Sequence, residues 1–460
     1  MTKNINMKNI INKIKNISLE QINKNLIFIA ILALLFRVGS FTSNYRPNPF
    51  EIIVILIIIL AIIDVIKNKK FKEFFLSVPK NIRIALILLV SSIFLGWGIS
   101  ILKGIPTTFN MILEFGLFVF SLSIFLLILF YTRNDKTYLK KYFYALLLPA
   151  IYIICIIFPE ITNYLNLLSH GVDFVGFTTN ENIISKIIII PTIYFTILTL
   201  FEFKNKWLKL VYFLISSSLV ALLFWISSRA ALLSLIMGCI FILIIFFINN
   251  LNWKKIFYKF LIIILIFLSG FLMSPYSAKR VSLNRILNVS STQSDYSDLK
   301  NKPLNNIIKE SFVVTKISEN LVENKKNIVQ NKPIIENRFQ FWPIYLKQIL
   351  INPLGFGPNT HIEFYSNDNI NKINLGPHNS YLQIWLWGGI IGLLSFLYLL
   401  FLAFINLKNR LKSNFNSFDF SLVSILFTLS ILILANDSIS LYWFWIILAL
   451  SLVYDSNTKS

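Results

Sequence analysis

Pro377-His378-Asn379-Ser380-Tyr381-Leu382-Gln383 runs without a break into Ile384-Trp385-Leu386-Trp387-Gly388-Gly389-Ile390-Ile391-Gly392-Leu393-Leu394. The second stretch is apolar enough to begin a membrane span, and the first closes a long polar loop. A histidine therefore stands where the chain passes from water into lipid. Asn379 and Ser380 follow it, residue types that open helices by accepting hydrogen bonds from the free N–H groups of the first turn.

Composition extends the same reading to the whole chain. Of 460 residues, 56% are hydrophobic and 14% charged, and mean hydropathy is +0.69. Soluble domains are nearer one quarter charged, so the sequence describes an all-α, polytopic integral membrane protein. Runs of roughly 17–25 apolar residues place about twelve spans, near 25–42, 50–66, 82–101, 108–131, 142–158, 183–202, 209–226, 229–248, 258–273, 379–405, 418–436 and 438–454. This divides the chain into a cytoplasmic amphipathic segment (1–24), spans one to nine (25–273), an extracytoplasmic loop (274–378), spans ten to twelve (379–454) and a cytoplasmic tail (455–460).

Lysine and arginine set the orientation. They crowd residues 1–24 and then alternate loops: Lys67 to Arg83, Arg133 to Lys141, Lys204 to Lys209, Lys254 to Lys259, and Lys408 to Lys412. The intervening short loops hold almost none, which predicts both termini inside. Most of the 43 basic residues behind the net charge of +22 are thus a topology signal that also meets anionic membrane lipids. They call for no nucleic-acid partner. Cys155 and Cys239 both fall inside spans, which argues against a disulfide framework or a metal cluster.

The single long loop divides in two. Ser290 to Lys332 is rich in Asn, Lys and Ser and reads as a weakly ordered tether. From Ile334 to Leu350 the apolar residues Phe341, Trp342, Tyr345, Leu346, Ile349 and Leu350 recur at helical spacing, an amphipathic helix suited to a membrane interface. Arg338 shares that face with Phe341 and Trp342. Asn352-Pro353-Leu354-Gly355-Phe356-Gly357-Pro358 then reads as a helix stop and chain reversal.

Three side chains carry candidate chemistry at the outer surface. Arg229, in Ser227-Ser228-Arg229-Ala230-Ala231, is either a snorkelling helix terminator or, with Ser227, Ser228 and the N–H groups opening span eight, an anion site. Arg338 points towards the membrane and wants an anionic partner. His378 is either structural or a general base for a hydroxyl, since neutral imidazole suits that work near pH 7. Asn379 reads as a cap. Asn180 or Asn182 reads as the cap of span six, and His361 has no supporting context. There is no phosphate-binding glycine loop, no HExxH and no DxD pair in the outer loop, so neither ATP nor a metal or other cofactor is expected.

These stretches resemble one family. Ser228-Arg229-Ala230-Ala231-Leu232-Leu233, then Arg338…Trp342 with Pro353-Leu354-Gly355-Phe356-Gly357-Pro358, and finally His378-Asn379-Ser380-Tyr381-Leu382-Gln383 with Gly388…Gly392-Leu393-Leu394 are similar, in that order, to motifs of the O-antigen ligase/polymerase superfamily of bacterial surface-glycan assembly. Phe177 to Asn182 resembles its F-x-N-P-N loop, with Glu181 where proline is common. The resemblance implies a GT-C-like, metal-independent, inverting glycosyltransferase of the bacterial inner membrane, working on the periplasmic face. It implies an undecaprenyl-diphosphate-linked oligosaccharide as donor and an acceptor glycan or lipid A-core as partner. In that frame His378, Arg338 and Arg229 are catalytic, and Ser228, Asn379, Trp342 and Asn182 bind substrate. Polymerase and ligase share the motifs. The competing class is a bicarbonate-type solute transporter using Arg229 as its anion site, against which stands the lack of paired ionisable residues in the spans.

Overall fold

The structure is a computed structural model that describes residues 18–34, 49–104, 109–133, 135, 137–148, 181–201, 205–226, 228–249, 253–274, 342–358, 362–365, 372–375, 377–413, 416–435 and 442–453. Its helices are α1 (Leu19–Ala33), α2 (Pro49–Lys67), α3 (Phe71–Ser77), α4 (Lys80–Leu102), α5 (Phe109–Thr132), α6 (137–148), α7 (Glu181–Phe201), α8 (Lys206–Ile226), α9 (Arg229–Asn249), α10 (Trp253–Met273), α11 (Trp342–Ile351), α12 (Ser380–Ser413), α13 (Ser417–Leu432) and α14 (Tyr442–Leu452). Seven of the described helices are long and apolar enough to cross a membrane, and α14 and Ser185–Phe201 of α7 are shorter apolar helices. Helix is the expected answer in lipid, because it satisfies its own backbone groups where no water can. The protein is therefore a multi-pass membrane protein.

Two strands, β1 (Ile362–Tyr365) and β2 (Lys372–Leu375), pair antiparallel inside the long loop, with Ile362 opposite Leu375 and Tyr365 opposite Lys372. The bundle itself is all helix, as the sequence reading had it, and this hairpin is the one strand pair among the described residues. The signal was present: two short runs of alternating apolar and polar residues flank Ser366-Asn367-Asp368-Asn369, which favour turns.

α13 orders its neighbours. Phe246 meets Phe420 at 5.3 Å, Phe241 stacks on Phe427 at 4.1 Å, and Gly238 lies against Thr428, so α9 runs antiparallel to α13. Arg410 of α12 pairs with Asp419, whereas Tyr381 donates its hydroxyl to Ser430 O at 3.0 Å, so α12 is antiparallel too. The N-termini of α9 and α12 therefore share one end of the bundle, termed the loop end. The C-terminus of α4 joins them, since Ser100 Oγ donates to Phe356 O at 2.5 Å and Ser92 lies against Gly388. Lys206, Lys209, Lys254, Lys255, Lys408, Arg410 and Lys412 all lie at the opposite, basic end, as the loop charges anticipated.

The Pro353–Gly357 stretch is more than a chain reversal. α12 is broken at Gly389, whose φ of 62° and ψ of −163° form a backbone state essentially reserved for glycine. The break frees backbone groups in the middle of a span, and the loop takes them up. Phe356 N donates to Leu386 O at 2.6 Å, Gly357 N to Trp387 O at 3.0 Å, and Ile390 N to Pro353 O at 2.9 Å. Irregular backbone at such depth is tolerable only when protein covers it. Here α4 supplies the cover with Gly96, which lies against Trp387 O and Gly357 N. α11 leads into this plug and buries Tyr345 and Ile349, while Leu346 and Leu350 stay exposed. Two residues of the expected apolar face, Tyr345 and Ile349, are therefore spent on the bundle, and residues 334–341 lie outside the described residues.

The basic end is tied by charge. Glu20 and Lys24 of α1 pair at 3.0 Å, Lys24 reaches Asp135 at 3.5 Å, and Lys70 reaches Glu20 at 3.1 Å. Burial alone would raise the Glu20 carboxyl, but hydrogen bonds and charge from Lys24 and Lys70 outweigh it and hold it below the usual glutamate range. A carboxyl depressed by folding contributes stability that is complete above its unfolded value and lost as pH falls through the folded one. The melting temperature should therefore hold down to the ordinary glutamate range and fall below it, with Glu20→Gln flattening that fall. Acid profiles that superimpose for the two proteins would refute the tie.

Candidate functional site

His378 is the half-buried residue that precedes α12, and its φ is +46°. A left-handed backbone is uncommon outside glycine and persists only where the surroundings impose it. On one side, Asn379 Oδ1 accepts from Tyr381 N at 2.9 Å and Leu382 N at 3.1 Å, a helix cap. On the other, Trp342 Nε1 donates to Pro377 O at 3.2 Å. Tyr381 is tied to α13 through Ser430 O. The imidazole is thus carried on a short, doubly fixed bridge between α11 and α12. In this structure Asn379 and Trp342 hold backbone around His378. A positioning role for Trp342 predicts that Trp342→Phe, which keeps the ring and loses the N–H, lowers turnover more than it weakens substrate binding. Unchanged turnover would count against it.

Ser228 and Arg229 open α9. Ser228 O accepts from Leu232 N at 3.0 Å, closing the first turn. Its hydroxyl does something else: Ser228 is 6% exposed and its Oγ is shielded with no hydrogen-bond partner. A serine at this position ordinarily caps its own helix. Here the side chain leaves that role open, beside the positive end of the helix dipole and the first free N–H groups. Arg229, next in sequence, is exposed. Buried hydroxyl, helix N-terminus and guanidinium are together a donor set for an anion.

Antiparallel packing on α13 brings His378, Ser228 and Arg229 to the same end of the bundle. Asn182 lies in the first turn of α7. That turn is also at the loop end, because the other end of α7 is held where Lys259 Nζ donates to Leu200 O at 3.1 Å. The Asn182 side chain, Arg338 and His361 lie outside the described residues. Sequence reasoning did not single out Gln383, which is 7% exposed with its Oε1 shielded and unpartnered, nor Glu51, which is 4% exposed and accepts from Tyr442 Oη at 3.2 Å. A polar residue inside an apolar run was the available signal for both.

Residues 210–397 match a protein-family model described as O-antigen ligase. The matched stretch runs from within α8 to within α12 and holds Ser228, Arg229, Arg338, Trp342 and His378. A search of the curated proteins finds no match.

Proposed function

With that match supporting the O-antigen ligase/polymerase superfamily as the family of this chain, we propose that the protein transfers a glycan from a polyprenyl diphosphate to an acceptor hydroxyl. The reaction takes place at the outer face of the bacterial inner membrane. The observation that carries the reading is the shielded, unpartnered Ser228 hydroxyl at the N-terminus of α9 beside exposed Arg229, on the same end of the bundle as His378. A diphosphate ester at a membrane surface fits such a donor set. The charge difference between the two bundle ends supports a loop end facing outward. The full layout in this reading has twelve spans, both termini inside, and the long loop over the outer mouth in a GT-C-like arrangement.

The acceptor oxygen attacks the anomeric carbon as the bond to the diphosphate oxygen breaks, which inverts that carbon. His378 takes the hydroxyl proton, and polyprenyl diphosphate leaves with the electron pair. Negative charge grows on the leaving group, where Arg229, Ser228 and the α9 N–H groups stabilise it with Arg338, without a metal. Breaking the diphosphate ester drives the reaction, so no ATP is consumed. Polymerase and ligase versions differ only in acceptor, another lipid-linked repeat or lipid A-core. A deletion strain separates them: single repeats left on the lipid anchor mean polymerase, and loss of all attached glycan means ligase. The transporter alternative gains nothing from the match.

The test is transfer by purified protein in nanodiscs containing lipid-diphosphate oligosaccharide. Arg229→Lys keeps the charge and loses the bidentate fork, so it should insert normally and lose on the order of 10²-fold in rate, the scale of one transition-state donor. Full activity in Arg229→Lys, or no transfer by the native protein, would overturn the assignment.

A further inference from the structure

Buried polar side-chain atoms are nearly always paired, so an orphan calls for an explanation. Gln383 is one: the residue is 7% exposed, and its carbonyl oxygen is shielded without a partner. It stands on α12 four residues after Asn379 and four before Trp387, hence on their face of the helix. The Trp387 ring meets the Phe118 ring edge-on at 6.0 Å, and Phe118 meets Trp445 at 5.8 Å. These three buried rings close the bundle from below.

Both α5 and α12 run from the loop end towards the basic end. One turn loopward of Trp387 is Gln383, and one turn loopward of Phe118 is Glu114, whose Oε2 is shielded from solvent. One turn loopward of Trp445 is Tyr442, which donates to buried Glu51 at 3.2 Å. Side chains on a helix lean towards its N-terminus, here towards the loop end. Four helices thus present an amide, a phenol and two carboxyl side chains at one level above an aromatic floor. None of these four groups is cationic. Ser228 and Arg229 lie elsewhere at the same end, on the α9 side that packs against α7, α8, α10 and α13.

That separation sorts ligands by charge. A diphosphate belongs with Ser228 and Arg229, where a guanidinium and free N–H groups can hold it, and finds no cation among the four groups on the other side. Carboxyl and amide oxygens accept from hydroxyls, and the amide N–H donates to ring or hydroxyl oxygens. We infer that Gln383, with Glu114 and the Glu51–Tyr442 pair, forms a subsite for the hydroxyl-rich sugar of the acceptor, apart from the anion site. The acceptor is the partner assigned here because Gln383 lies in the first turn of α12, five residues after His378, which must meet the acceptor hydroxyl. The assignment rests on the glycan-transfer reading above.

Two binding measurements on nanodisc protein separate the two claims. The probes are the free oligosaccharide repeat, released by mild acid from its polyprenyl diphosphate, and the intact lipid-diphosphate oligosaccharide. Gln383→Met fills the same volume and removes an unpaired polar group, so its melting temperature should equal or exceed that of the native protein. It should nevertheless weaken binding of the free repeat at least tenfold and leave the lipid-diphosphate probe bound as before; Glu114→Gln should also weaken the repeat. The subsite is refuted if the native protein does not bind the free repeat, if Gln383→Met binds it normally, or if that variant loses only the lipid-diphosphate probe. Failure of the native protein to bind the lipid-diphosphate probe refutes the function reading instead, whatever the free repeat does.

Discussion

His378→Ala loses roughly 10²–10⁴-fold in glycan transfer, the usual contribution of a positioned general base. The loss is chemical and not structural, because His378 is only half-buried and stands before α12 at the loop end of the bundle. Its backbone requires care, since φ is +46° and alanine tolerates that region poorly. His378→Asn is the sharper variant: asparagine enters left-handed backbone readily and cannot take up the proton. It should insert, melt like the native protein and transfer no faster than His378→Ala. His361→Ala should be nearly silent. Normal glycan from a well-expressed His378→Asn strain would remove the base from the mechanism.

The second large effect concerns folding. Gly389→Val should yield little or no folded protein. Gly389 has φ of 62° and ψ of −163°, and a Cβ there would meet Pro353 O and lie 2.6 Å from Leu354 Cα. The loop must then leave its seat, taking with it the bonds from Phe356 N, Gly357 N and Ile390 N. Buried backbone groups left unpaired cost roughly 1–3 kcal/mol each, and the strained backbone adds about 1–3 kcal/mol. The total is a large part of the roughly 5–15 kcal/mol that holds a typical fold. Gly355→Ala should act in the same direction, because φ there is +90° and its Cβ would stand 2.5 Å from Gly389 N. Gly116→Ala is the control: nothing lies within 4 Å of its Cβ, and alanine is the better helix former. Fluorescence-detected gel filtration of the three variants reads the outcome. A monodisperse Gly389→Val protein with native melting would show that the loop is not seated in the helix break.

Hydrophobic run length alone located helices such as α4, α8, α9, α10 and α13, and alternating lysines sorted their ends. Both signals are local: a span must satisfy its own backbone in lipid, and each loop meets the charge bias by itself. The motifs around Arg229 and His378 were legible for a similar reason, since each is a contiguous run at a helix start. Tertiary structure alone showed that Pro353–Gly357 repairs α12 at Gly389, that Trp342 fixes the backbone before His378, and that Gln383 is buried without a partner. Each of those facts depends on groups far apart in the chain, Gly96 with Gly357, Pro353 with Ile390, Phe118 with Trp387. A glycine in a span reads the same whether it faces lipid, as Gly116 has open space to do, or receives another segment's backbone. Only the packing of helices distant in sequence decides which.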